Sequence, residues 1–215
     1  LYQHKPSTLF FYSLPKDVSG VIAFMKMKNK AVRFQINLTD HAFWLGINMF
    51  DYSIEFRDYG ASISSNYRGI ERERIIKLPF YPYFDENIPF QGLPFDYQNK
   101  QFVFSGGDLY KTFDKDLTYY QIVRQFLADN PEIFFVYAGN GDTTELDKLK
   151  SEYHEQVYHL PVRTDLYQIM KRSLFYLNTF PMAGGLMTQF AVIAGKVPLL
   201  LIQGNDSDGI LMNQN

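Results

Sequence analysis

One stretch, Asn178 to Leu201, limits what this chain can fold into more than any other. The apolar run Leu174-Phe-Tyr-Leu177 leads into it and reads as a buried strand. A turn follows, marked by Pro181 and the pair Gly184-Gly185. Leu186 to Ala194 reads as a short apolar helix stopped by Gly195, and Val197 to Ile202 as a second buried strand. Strand, glycine turn, helix, strand is the unit from which parallel sheets are built. Such a turn leaves backbone N–H groups free at a helix N-terminus, where the helix dipole also favours negative charge. From the residues alone two readings stand side by side. The glycines admit a phosphate, or they only make a tight turn.

The same unit recurs upstream. Phe102-Val-Phe-Ser-Gly-Gly107 is a strand entering a glycine turn. Thr118 to Asp129 carries Tyr119, Ile122, Val123, Phe126 and Leu127 at helical spacing, and Asn130-Pro131 ends it. Ile133 to Ala138 is too apolar for a half-exposed strand and is expected to be buried on both faces. Gly139-Asn-Gly-Asp142 leaves it. Helices are expected at Leu146–Tyr153 and Leu166–Arg172, with a strand at Gln156–Leu160. Residues 102–215 therefore read as an α/β, Rossmann-like, doubly wound parallel sheet.

The first part is less regular. Leu9 to Tyr12 is apolar, Val18 to Lys28 approaches helical spacing, and Ala31 to Leu38 alternates as a strand does. Tyr52 to Phe56 and Ile75 to Leu78 read as short strands, and Tyr67 to Arg74 as a charged, solvated stretch. Four prolines at 79, 82, 89 and 94 break any periodicity. The expected organisation is residues 1–85 as the latter part of one Rossmann-like domain, 86–101 as a linker, and 102–215 as a second domain.

Composition excludes several functions. There is no Cys among 215 residues, so disulfides, thiol nucleophiles and cysteine-ligated metals are ruled out. A net charge of −2 argues against a nucleic-acid partner. Hydrophobic residues at 46% suffice for a sizeable core. No apolar run reaches the roughly 20 residues of a spanning helix. No signal-peptide pattern opens at Leu1, so the expected location is the cytoplasm. Without an initiator Met, and with a polar end at Asn215, the chain is expected to be a fragment of a longer protein. No G-x-G-x-x-G follows a strand, which argues against a dinucleotide oxidoreductase.

The order Phe102–Gly107, Ile133–Gly139, His159-Leu-Pro-Val-Arg-Thr-Asp-Leu166, then Asn178-Thr-Phe-Pro…Gly184-Gly…Thr188…Gly195-Lys-Val-Pro198 resembles the C-terminal half of GT-B glycosyltransferases. Asp40-His-Ala-Phe-Trp-Leu-Gly46 and Asp51 to Asp58 look like the late N-terminal half of bacterial and O-GlcNAc-transferase-like members. The resemblance runs from about Ala31 to Ile202, and its strength lies in the order and spacing of loose motifs. It implies a metal-independent transfer of a hexosyl or N-acetylhexosaminyl group. The donor would be a nucleotide sugar such as a UDP- or GDP-sugar, with no cofactor beyond it. The acceptor would be a hydroxyl or amide on a protein, a glycan or a lipid-linked molecule. Association with a membrane surface or a partner subunit fits the same class.

The resemblance assigns candidate residues. Thr188 matches a Thr that contacts the donor diphosphate; its plain alternative is a helix cap. Gly184 and Gly185 would let the backbone approach that diphosphate. Lys111 follows the first glycine turn, where a basic residue pairs with the diphosphate; a solvated surface Lys is the alternative. Arg163 falls where the base or ribose is lined, while Asp165 is expected to cap the next helix. Asn140 is a candidate donor contact in what is otherwise a simple turn. His41 follows a strand, and a His titrating near neutral pH suits proton removal from an acceptor. One departure is plain. Aligning on Gly195 puts Met182 and Phe190 where many retaining members carry two glutamates, so no acidic pair is expected here. An accessory module on the same fold and a nucleotide-sugar epimerase are the alternative functions.

Overall fold

The computed structural model describes residues 3–12, 14–40, 42–79 and 81–202. They form two units, the first running to residue 80 and the second beginning at Tyr81. No helix among the described residues is long and apolar enough to cross a membrane.

The first unit is a four-stranded parallel sheet in sequential order, β1 (Thr8–Tyr12), β2 (Val32–Asn37), β3 (Tyr52–Glu55) and β4 (Ile75–Lys77). Helix α1 (Val18–Lys26) starts where the Asp17 carboxylate accepts the Gly20 N–H at 2.8 Å. Alternate residues of β1 divide between the faces. Leu9 and Phe11 join a core of Phe24, Trp44, Met49, Phe50 and Ile70. Phe10, Phe34 and Tyr52 stack in a row on the other face, with ring centroids 5.2 and 5.4 Å apart.

Two features of this unit differ from the sequence reading. Helix α2 (Asp58–Asn66) has no apolar periodicity, because its small residues lie against polar groups. A Cβ on Gly60 would sit 2.9 Å from Glu55 Oε2 and 3.0 Å from Asp40 Cβ. In the stretch Tyr67–Arg74, residues Tyr67, Gly69, Glu71, Arg72 and Glu73 are exposed as expected, but Arg68, Ile70 and Arg74 are drawn inward. Ile70 is only 2% exposed. The Arg68 guanidinium lies 4.8 Å over the Trp44 ring and donates to the carbonyls of Asp40 and Ala42. Arg74 donates to the carbonyls of Phe50 and Asp51. These arginines tie down loop carbonyls that would otherwise be buried without partners.

The second unit is the doubly wound sheet that the sequence leads one to expect. Its elements are β5 (Phe102–Gly106), α3 (Thr118–Asp129), β6 (Phe134–Ala138), α4 (Thr144–Glu152), β7 (Val157–Leu160), α5 (Leu166–Arg172), β8 (Tyr176–Leu177), α6 (Gly185–Ile193) and β9 (Pro198–Leu199). All strands are parallel, in the order β7-β6-β5-β8-β9. Side chains alternate across the sheet. Val103, Phe135 and Tyr137 meet α3 and α4 on one face. Phe102, Phe104, Phe134 and Val136 meet α5 and α6 on the other. Burial on both faces is why β5 and β6 are apolar at nearly every position. The regular parts of β8 and β9 are shorter than their apolar runs. Leu174 still donates to the Phe102 carbonyl, and Phe104 to that of Phe175.

Residues 86–101 belong to this second unit. Phe90, Leu93, Phe95 and Tyr97 pack against the core on the α5–α6 face. Phe95 meets Phe102, Phe134 and Tyr158 with centroids 5.8, 4.9 and 4.7 Å away. The segment is an aromatic strap, anchored by the same ring packing that stabilises the core.

Candidate functional site in the second unit

In an open parallel sheet, ligands bind outside the carboxyl ends of the strands, where the strand order reverses. Here the chain winds outward from β5 to β7, then crosses to β8 on the other side of β5. The reversal lies between β5 and β8, so the loops Gly106–Thr112 and Asn178–Gly184 border it.

The floor is built from backbone. The β5–β6 ladder continues past the strands, with Gly107 N–H donating to Ala138 O at 2.9 Å and Leu109 N–H to Asn140 O at 2.8 Å. Gly139 is required at this crossing, since a Cβ there would fall on the carbonyl oxygen of Gly107. Buried tyrosines support the loops from below. Tyr137 donates to Gly107 O at 3.1 Å, and Tyr176 reaches Gly106 O at 3.2 Å. Tyr119 donates to Ser105 Oγ at 2.6 Å. Burial pushes the Tyr137 and Tyr176 phenols far above the ordinary tyrosine value, so both stay protonated as donors.

Lys111 lies in a single 3-10 turn, Leu109–Thr112. Its carbonyl accepts the Met182 N–H at 3.3 Å, which joins the two loops of the reversal point. Among the described residues its ammonium has no hydrogen-bond or ion-pair partner. Asn140 is exposed, with its carbonyl bound to Leu109. It lines a shallow depression of about 320 Å³ with Asp108, Tyr110, Phe113, Gly141 and Asp142.

The glycine turn is organised from inside. Gly184 is the N-cap of α6 and offers no capping side chain. The N–H groups of the first helical turn, from Gly185 to Met187, therefore point out of the helix without an intrahelical acceptor. Thr188 is 8% exposed. Its hydroxyl donates to Gly184 O at 3.0 Å and accepts from Asn178 Nδ2 at 2.9 Å. Met182 is half exposed, while Phe190 packs into the core.

Arg163 and Asp165 lie in the loop after β7. Arg163 grips Asp165 with Nε and Nη2, each at 2.7 Å, and Nη2 also donates to Gly92 O at 3.0 Å. The same carboxylate accepts the Gln91 N–H at 2.8 Å. Asp165 holds the N-cap position of α5, but its side chain makes no bond to that helix. The expected cap is thus replaced by an ion pair that fastens the aromatic strap. The competing partner prevailed because a guanidinium two residues away offers two bonds from a charged donor instead of one from an uncharged N–H.

His41 lies outside the described residues. Its neighbour Asp40, in the first unit, is 4% exposed and paired with Arg57 through two bonds of 2.6 and 2.8 Å. Close by, the buried Glu55 accepts from Asn37 Nδ2, Ser53 Oγ and Ser64 Oγ at 2.8, 2.8 and 2.6 Å. Burial raises the Glu55 carboxyl above its usual value despite these bonds and the charge of Arg68.

The second unit brings Lys111, Gly184, Gly185 and Thr188 to the β5–β8 reversal. Asn140 stands one strand away, and Arg163 is turned toward the strap. Sequence reasoning gave no role to Asn178 or Tyr176. The available signal was an Asn as the first polar residue after an apolar run and ahead of a glycine pair.

No protein-family model matches the chain, and no curated protein matches it by sequence. Solved structures do match in three dimensions. MnaA of S. aureus, determined with UDP, superposes with a TM-score of 0.62 at 15% identity, covering 94% of this chain and 58% of that one. The pneumococcal O-GlcNAc transferase GtfA, in complex with UDP and GlcNAc, gives 0.56 at 15%, covering 86% and 40%. The Thermobaculum terrenum O-GlcNAc transferase gives 0.53 at 18%, covering 90% and 37%. The chain thus spans about a third to three fifths of the length of the structures it matches. At these identities the likeness carries the fold, and that fold is the GT-B type, with two Rossmann-like α/β units.

Proposed function

We propose that this chain is the nucleotide-sugar-binding part of a glycosyltransferase. The observation that carries the reading is the strand-order reversal between β5 and β8, bordered by the glycine turn Asn178–Gly185 and by Lys111. A donor diphosphate there would meet the outward N–H groups of Gly185, Leu186 and Met187, with the Lys111 ammonium supplying positive charge. An acceptor hydroxyl or amide would attack the anomeric carbon, and the bond to the diphosphate oxygen would break. The nucleoside diphosphate would leave with its charge stabilised by those groups. The proton of the acceptor hydroxyl or amide would pass to a base, for which His41 is the candidate. Thr188 would donate to the phosphate only by releasing Gly184 O. Asn140 and the depression beside it offer polar and aromatic groups for the rest of the donor.

UDP is the first nucleotide to try, because MnaA and GtfA were solved with it. We assign a hexosyl or N-acetylhexosaminyl sugar, a metal-independent reaction and a cytoplasmic location to the same reading. Met182 and Phe190 at the places of the acidic pair, and Arg163 held in an ion pair, favour a second reading as a non-catalytic module on the same fold. Calorimetric titration of the full-length protein with UDP, GDP and their sugars tests the first. Binding of UDP is expected, and silence toward every nucleotide would sink it. Turnover of the sugar nucleotide without an acceptor would indicate an epimerase instead.

A further inference from the structure

We infer that Asn178 is the positioning residue of the diphosphate subsite, acting through the backbone of the glycine turn. This rests on the proposed nucleotide-sugar reading. Asn178 is the first residue after β8, fully buried, and its carboxamide spends its capacity on the turn. Oδ1 accepts the N–H groups of Thr179 and Gly184, each at 2.8 Å. These two donors fix which end of the amide is oxygen. Nδ2 donates to Thr188 Oγ1 at 2.9 Å. Thr188 in turn donates to Gly184 O, so Gly184 is held through its N–H and its C=O. Tyr176 O–H lies 3.3 Å from Oδ1 and 3.2 Å from Gly106 O, so one phenol links this hub to the end of β5.

The consequence is local and directional. A helix with a glycine N-cap has no side chain to fix its first turn, and a flexible turn would present its N–H groups in many orientations. Asn178 supplies the missing constraint from the preceding strand. It takes the N–H of Gly184 and leaves the N–H groups of Gly185, Leu186 and Met187 free and oriented. Donors fixed before the ligand arrives need no reorganisation when it binds. Removing the carboxamide should therefore weaken recognition of the diphosphate while sparing the nucleoside.

The test compares wild-type full-length protein with Asn178→Ala and Asn178→Asp, titrated with UDP and with uridine well below the lowest Tm. Asn178→Ala should lose at least about tenfold in UDP affinity, with uridine affinity changed by less than about twofold. Asn178→Asp retains an oxygen that can accept both backbone N–H groups, those of Thr179 and Gly184, and gives a second chance of a folded variant. Its carboxylate fills the positive end of α6 and should also cost UDP at least about tenfold. Equal loss of both ligands, or wild-type UDP affinity in folded variants, would overturn the inference alone. Loss of the fold in both variants would make Asn178 a folding residue and overturn it as well. Wild-type protein that binds neither ligand would remove the nucleotide-sugar reading together with it.

Discussion

Truncating Arg163 to Ala separates a structural guanidinium from a donor-binding one. In the folded chain Arg163 makes two bonds of 2.7 Å to Asp165 and one of 3.0 Å to Gly92 O. Its side chain is 10% exposed and that of Asp165 is fully buried. The variant leaves a buried carboxylate that keeps the Gln91 N–H bond of 2.8 Å but has lost its guanidinium. Breaking a buried pair by removing one member costs about 3–5 kcal/mol, and the surviving N–H puts this case near 3. At roughly 3 °C per kcal/mol for a chain of this size, Tm should fall by about 9 °C. Thermal and urea unfolding of Arg163→Ala, Asp165→Ala and the double variant read it out. The double variant should cost less than the sum of the singles by at least about 1.5 kcal/mol, since both charges leave together. Burial alone would raise the Asp165 carboxyl, but the Arg163 fork and the Gln91 N–H hold it below the usual range. A carboxyl lowered by folding stabilises above its unfolded value of about 3.9 and loses that contribution as pH falls through the folded value. Wild type should show that acid loss, and Arg163→Ala should not. UDP affinity, measured below both transitions, should fall less than about threefold, because the guanidinium is already engaged. A variant that unfolds like wild type but loses UDP would refute this reasoning and return Arg163 to the donor site.

Three further outcomes are expected. Burial raises the Glu55 carboxyl, so the folded state binds its proton more tightly than the unfolded one. Stability should therefore decline as pH rises from about 4.3 through the folded value, and Glu55→Gln should flatten that slope in urea titrations across pH 4–7. Gly139→Ala drives a Cβ into the Gly107 carbonyl and should cost more than about 2 kcal/mol by denaturant unfolding. Lys111→Met removes an ammonium that has no partner among the described residues; it should leave Tm nearly unchanged and cost about tenfold, or 1.4 kcal/mol, in UDP affinity by calorimetry.

Much of the second unit was legible because its signals are local. The helix over Thr118–Asp129 and that over Leu166–Arg172 match their expected limits, since apolar spacing and end signals agree there. The run Ile133–Ala138 announced a strand covered on both faces, and it lies at 0–9% exposure from Phe134 to Ala138. Helix α2 was not legible, because Gly60, Ser64 and their neighbours face a carboxylate network rather than a core. Periodicity cannot report a helix whose buried face is polar. Asp165 shows the same limit at a single residue. Its position suits a cap, but a partner two residues away and another at Gln91 took the carboxylate instead.

The sequence by itself determined that residues 102–202 would alternate strand and helix, and that glycines would stand at strand ends facing a helix N-terminus. Those facts follow from chain-local chemistry, namely side-chain periodicity and backbone freedom. Only the tertiary structure decided which strand ends are neighbours. The order β7-β6-β5-β8-β9 puts Gly106 and Asn178, far apart in the chain, on either side of one reversal, joined through the Tyr176 hydroxyl. It also decided that Arg163 and Thr188 spend their polar groups within the chain. A side chain's available partners are set by what folding brings within 3 Å of it, and that cannot be read from its neighbours in sequence.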